Sequence, residues 1–183
     1  LFRSKQLKYP KNLSIRLFSI QINTESINIM KNNNLQEISL LAVLTALSVV
    51  FGLFIKIPTP TGFLTLLDAG IYFTAFCLGS QEAAIVGGLS GFLIDLIAGY
   101  PNWMFISFLA HGSQGYFAGW TGKKQFLGLA LASLSMISIY LLCSIPMYGL
   151  GASIAGAWGN ILQNFFGMFV GYTLSLAYRR VKP

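Results

Sequence analysis

The sequence predicts an all-α integral membrane protein, a compact bundle of six transmembrane helices, and three observations carry that expectation. Of 183 residues, 55% are hydrophobic and only 9% charged, with a mean hydropathy of +0.66, whereas a soluble domain carries roughly 25% charge. The apolar residues form runs of spanning length broken by Pro, Gly and Asn turns. Most of the Lys and Arg residues lie before, between or after those runs, giving a net charge of +7.

The first 29 residues are polar and basic without a long period, so they are expected to be an upstream extension outside the fold, with residues 30–183 forming one membrane domain. A basic arm touching anionic lipid is the other reading of that stretch. The run at 38–55 carries no charge until Lys56 and is long enough to cross hydrocarbon. Pro58 and Pro60 then forbid regular helix, and 63–78 supplies a shorter second span that contains Asp68, expected at its outer end as an interfacial anchor and outside the pocket. Glu82 opens span three, which GYPN ends before Trp103, and span four runs to about Trp120. After the basic turn at 122–125, span five runs from Phe126 to about Pro146 and span six from about Ala152 to Tyr178.

Short loops rich in Lys and Arg stay in the cytoplasm. Lys31, Lys123, Lys124, Arg179, Arg180 and Lys182 therefore place both termini inside the cell membrane, and the loops around Thr59, Asn102 and Tyr148 outside. The basic residues are not grouped with stacking aromatics, which argues against nucleic acid as a partner. No HExxH, GxSxG or paired aspartate motif accompanies the two intramembrane acids, so no enzyme is expected. Cys77 and Cys143 fall near opposite membrane faces on this topology, and a disulfide between them is not expected.

Polar side chains inside spans cost free energy unless they meet a cavity or a partner. Asp95 is either a ligand acceptor or is tied to backbone amides and the Asn102 loop. His111, the one histidine, shares a helical face with Gln114 and reads as a cavity wall or as a structural group, with too few companions for a metal. Asn160, Gln163 and Asn164 form the most polar intramembrane patch, suited to a neutral heteroaromatic ligand or to bonding between helices. Trp103, Tyr140, Tyr148 and Trp158 could stack on a flat ring or serve as an interfacial belt. Pairs of small residues four apart, Gly87 with Gly91, Gly115 with Gly119 and Gly167 with Gly171, are expected to pack helices within the bundle.

AVLTA in the first span, the Pro-bearing loop after it and the run GGLSGFLIDLIAGYPNW, set among six spans from Met30 to Lys182, resemble the substrate-binding S component of energy-coupling factor (ECF) vitamin importers. The resemblance implies a subunit that binds a small vitamin from outside and works with a transmembrane T component and two ATPases. ATP would be hydrolysed by those partners, with no cofactor in this chain, which has no GxxxxGK[ST] phosphate loop. It also implies that Ala42 and Ala46 dock on the T component, and that Pro58, Pro60 and Phe63 belong to a lid over a cavity lined by spans four to six. The expected substrate binders are Asp95, Asn102, Trp103, His111, Gln114, Tyr140, Trp158, Asn160, Gln163 and Asn164. Pyridoxine or hydroxymethylpyrimidine fits this neutral lining, with riboflavin open. The alternative is a stand-alone secondary transporter in which Asp95 or His111 titrates.

Overall fold

The computed structural model describes residues 34–59 and 62–181. Pro60, Met30, Lys31 and Lys182 lie outside the described residues. Residues 34–40, the first turns of helix α1 (Asn34–Phe54), are exposed. All that follows concerns the compact unit from Leu41 onward.

In that unit α1 buries Leu41, Thr45, Ser48 and Gly52, spaced four, three and four apart as one stripe of an α-helix requires. The stripe meets the helices at 67–77 and 80–98: a Cβ at Gly52 would strike Ile94 Cδ1, and one at Gly70 would strike Ser48 Oγ. Ala42, Val43, Ala46 and Leu47 lie off the stripe and are exposed.

The segment after α1 is an antiparallel hairpin, β1 (Lys56–Thr59) and β2 (Gly62–Thr65), with Pro58 opposite Phe63. This corrects the all-α expectation. A two-stranded ribbon consists only of edges, and an edge tolerates the N–H that Pro58 lacks. It also shortens the second apolar run, since Phe63–Thr65 pair with β1 before α2 (Leu67–Cys77) begins. Eleven residues rise only about 16 Å, roughly half of the hydrocarbon thickness. α2 is instead a core helix, with Leu67, Ala69, Ile71 and Tyr72 at most 1% exposed.

α3 (Ser80–Ala98) ends at Gly99, whose φ of 84° is the left-handed cap that lets Tyr100 N–H reach Asp95 O at 2.8 Å. It packs closely on α4 (Met104–Ala118). A Cβ at Gly87 would collide with the His111 carbonyl, and one at Gly91 would lie 2.7 Å from the Ser107 carbonyl. The Gly115/Gly119 and Gly167/Gly171 pairs likewise meet Ala83, Ser80, Asp68 and Ala69, so all three pairs pack within the chain.

A short 3-10 turn (Gly122–Lys124) leads into α5 (Gln125–Val181), where Gly149 breaks the helical backbone at φ 80°, ψ 165°. The described residues therefore hold five helices, the fifth with two arms, 125–148 and 150–181. Ser133 Oγ donates to Asn164 Oδ1 at 2.8 Å, fifteen or sixteen residues to either side of Gly149, so the arms fold back on one another. The break falls at Gly149 and not at Pro146, which stays inside the helix, because only glycine enters the positive-φ region without a Cβ penalty. Three helices, Asn34–Phe54, Ser80–Ala98 and the Gly122–Val181 stretch, are long and apolar enough to cross a membrane.

Candidate functional site

Between the hairpin, α3, α4 and both arms of α5 lies a cavity of about 60 Å³. The hairpin contributes Thr59, Phe63 and Thr65, α3 and the turn after it Asp95 and Tyr100, and α4 with its N-cap Trp103, Ser107 and His111. The first arm of α5 adds Tyr140 and Ser144, and the second Ser153, Asn160 and Gln163. Of the residues singled out from sequence, Phe63, Asp95, Trp103, His111, Tyr140, Asn160 and Gln163 line this cavity.

Six others do not, each for a geometric reason. Trp158 stands two residues before Asn160, about 200° around the helix, and is 66% exposed. Asn102 is exposed in the turn preceding α4. Asn164 follows Gln163 by one residue and turns to α2 and the first arm, where its Oδ1 accepts from Tyr72 OH at 2.9 Å and from Ser133. Gln114 sits one turn beyond His111, fully buried behind the wall. Pro58 is exposed on β1, away from the lining. Tyr148 also lies outside the lining, but its OH accepts from Trp103 Nε1 at 3.1 Å and its ring stacks on that indole at 3°.

Two polar networks build the walls. Towards α3, Tyr140 OH donates to Ser107 Oγ at 2.6 Å, and Ser107 Oγ donates to Asp95 Oδ2. Asp95 is thus held by a side chain of α4, not by the Asn102 loop. Towards α2 the organiser is Asp68, fully buried. Its Oδ2 accepts from Gln114 Nε2 at 2.9 Å and its Oδ1 from Gln163 Nε2 at 3.1 Å, while His111 Nδ1 lies 3.4 Å from Oδ1. Gln163 Oε1 in turn accepts the backbone N–H of Thr65 on β2 at 2.8 Å. One amide therefore ties the hairpin, the second arm of α5 and α2 together.

Asp68 corrects the sequence reading, which set it at the interface. An acid inside an apolar run is costly wherever it faces hydrocarbon. The sequence carries the signal, since Asp68, like Asp95, is an acid inside an apolar run. Ser107, Tyr100 and Thr59 were also missed, and serine, tyrosine and threonine carry no distinctive pattern inside apolar runs.

At the mouth, Phe63 and Tyr100 rings lie 5.1 Å apart, and Lys56 Nζ sits 4.2 Å from the Phe63 centroid, a cation–π contact that adds hold on the hairpin. The arrangement can accept a flat polar solute between aromatic edges and amide groups. Apolar helices around a polar cavity, closed on one side by a hairpin, define a membrane protein that binds a small solute.

The chain belongs to the ECF-type riboflavin transporter S component family, whose sequence model matches residues 32–180. Members of this family are transporter components, not enzymes. The chain is 44% identical over 150 residues to the "Thiamine precursor transporter HmpT" of Lactococcus lactis subsp. cremoris (strain MG1363), covering 80% of this chain and 90% of that protein. It is 29% identical over 136 residues to an "Uncharacterized protein in gap 3'region" of Pyrococcus woesei, covering 70% of this chain and 91% of that one. A solved structure, presented as "Structure and mechanism of the S component of a bacterial ECF transporter", superposes with a TM-score of 0.56 at 24% identity, over 80% of this chain and 95% of that chain. At that identity the likeness shows the fold.

Proposed function

We propose that this chain binds a single-ring vitamin precursor of the hydroxymethylpyrimidine kind as the membrane-embedded subunit of an ATP-driven importer. The cavity carries this reading. One water needs about 10–15 Å³ of such space, so about 60 Å³ suits a small ring and is cramped for the three fused rings of riboflavin. Among the described residues its lining includes amides, an imidazole, tyrosines and serines, with Asp95 the one carboxylate and no Lys or Arg. That lining offers nothing to pair with the carboxylates of folate or biotin. The 44% identical relative described as a thiamine precursor transporter points the same way and favours hydroxymethylpyrimidine over pyridoxine.

On this reading the functional domain is residues 30–183, and α1 to α4 with the two arms of α5 make six passes, α2 being a short one walled in by the other helices and not facing lipid. Both termini are cytoplasmic and the hairpin is the external lid. The solute settles between Phe63, Trp103 and Tyr140, with Asn160, His111 and Asp95 as polar contacts, and the lid is held shut through Gln163. The exposed Ala42 and Ala46 face of α1 lets a T component approach closely, and two ATPases on that partner drive reorientation. The test is a thermal-shift series on the detergent-purified chain with hydroxymethylpyrimidine, pyridoxine, thiamine and riboflavin. A ligand at 100 times its Kd stabilises the folded state by about 2.7 kcal/mol, so hydroxymethylpyrimidine should raise Tm at the lowest concentration. A shift with riboflavin alone would refute the substrate, and ATP-independent uptake by the chain alone would refute the importer complex.

A further inference from the structure

Asp68 touches no part of the cavity, yet its carboxylate decides what one wall of it can offer. An ionised carboxylate only accepts hydrogen bonds, and a primary amide has donors on one side and an acceptor on the other. Gln114 gives its Nε2 to Asp68 Oδ2 at 2.9 Å, so its Oε1 is turned the other way, to His111 Nδ1 at 2.8 Å. The same ring nitrogen lies 3.4 Å from Asp68 Oδ1. Two oxygens with no proton to give therefore face Nδ1, and Nδ1 must carry the proton. A neutral imidazole has one N–H, which leaves Nε2 with a bare lone pair.

Nε2 makes no hydrogen bond among the described residues. The buried side-chain polar atoms without a partner are Thr45 Oγ1 and Asn164 Nδ2, so Nε2 is not sealed away. The ring itself borders the cavity and meets Tyr140 edge to face, with centroids 5.7 Å apart. We infer that Asp68 and Gln114 are positioning residues that hold His111 in its Nδ1–H tautomer, so that the site presents an acceptor nitrogen and selects solutes carrying an amino or hydroxyl donor. For a neutral ring the tautomer follows from the hydrogen-bond geometry; its use in selection rests on the binding reading above. Orientation of one imidazole nitrogen by a partner on the other is a general way of fixing its role.

His111 is the one histidine of the chain, so nitrogen-15 histidine labelling of protein purified through a histidine-free tag reports a single ring. The expected spectrum has Nδ1 protonated and Nε2 bare; an imidazolium, or a proton on Nε2, overturns the inference. Asp68→Asn supplies an N–H to Gln114, lets that amide turn over, and should raise the Nε2–H population at least tenfold. An unchanged spectrum in a folded Asp68→Asn protein overturns the role of Asp68. Should that variant fail to fold, Gln114→Leu removes the acceptor instead and must shift the Nδ1 resonance. Adding hydroxymethylpyrimidine should move Nε2 towards the hydrogen-bonded range, and its analogue lacking the amino and hydroxyl groups should bind about 10- to 100-fold more weakly. Equal affinity for that analogue overturns the selection. The expected tautomer in a protein that binds no ring compound would instead overturn the substrate reading.

Discussion

Gln163→Met keeps the length of the side chain and deletes both of its hydrogen bonds, which makes it the sharpest probe of the lid. The first bond, from the Thr65 N–H at 2.8 Å, fastens β2 to the second arm of α5; the second, to Asp68 at 3.1 Å, fixes the amide's direction. A neutral bond contributes about 0.5–1.5 kcal/mol and one to a charged group about 1.5–3. Polar contacts inside membranes fall at the low end, because the unfolded chain also finds partners there, so the summed loss should be about 2 kcal/mol. The lid feels only the first bond, about 1 kcal/mol, or roughly a fivefold rise in the open population. Hydrogen exchange followed by mass spectrometry on a peptide covering residues 56–66 measures that opening. The variant should exchange there about fivefold faster, by the same energy, while α3 and α4 keep their protection, and affinity for the vitamin should fall by at least as much. Unchanged exchange in that peptide with weakened binding would show that Gln163 touches ligand without holding the lid, and the coupling argued from Thr65 would be wrong.

Other perturbations separate packing from recognition. Gly87→Ala drives a Cβ into the His111 carbonyl and should destabilise the α3–α4 pair by about 1–3 kcal/mol, read as a lower Tm in detergent. Asn164→Ala strips the acceptor from Tyr72 OH and Ser133 Oγ, so it should cost stability of about 1–3 kcal/mol and change affinity less than Asn160→Ala does; calorimetry on both variants decides. Trp158→Ala, 66% exposed, should leave the Kd within about twofold, as surface substitutions do. Ala46→Trp should leave vitamin binding intact and reduce uptake by the assembled transporter to background. Loss of binding with assembly preserved would remove the docking assignment.

The amino-acid sequence by itself determined the solvent of this protein and much of its punctuation. Nine per cent charge cannot clothe a soluble surface, and Gly79, Gly99 and Gly149, all at positive φ, end or break helices where the chain changes direction. Six apolar runs were legible for the same reason, since hydropathy and turn residues act locally. What local pattern does not encode is which apolar run faces lipid and which faces protein. Residues 63–78 read as a span, but three of them pair with β1 and the remaining helix is walled in by its neighbours, so its apolarity serves the core.

The site divides along the same line. Asn160 and Gln163 line the cavity and Asn164 does not, although spacing set all three on one side of a helix. A helical face is wide, and only the approach of α2 and the first arm assigns Asn164 to Tyr72 and Ser133. Asp68 shows the largest gap. Its partners, His111, Gln114 and Gln163, stand 43, 46 and 95 positions away along the chain, so no window of sequence joins them. Tertiary packing brings them within hydrogen-bonding distance and, because a buried carboxylate must be satisfied by donors, sets the direction of two amides and the tautomer of one histidine.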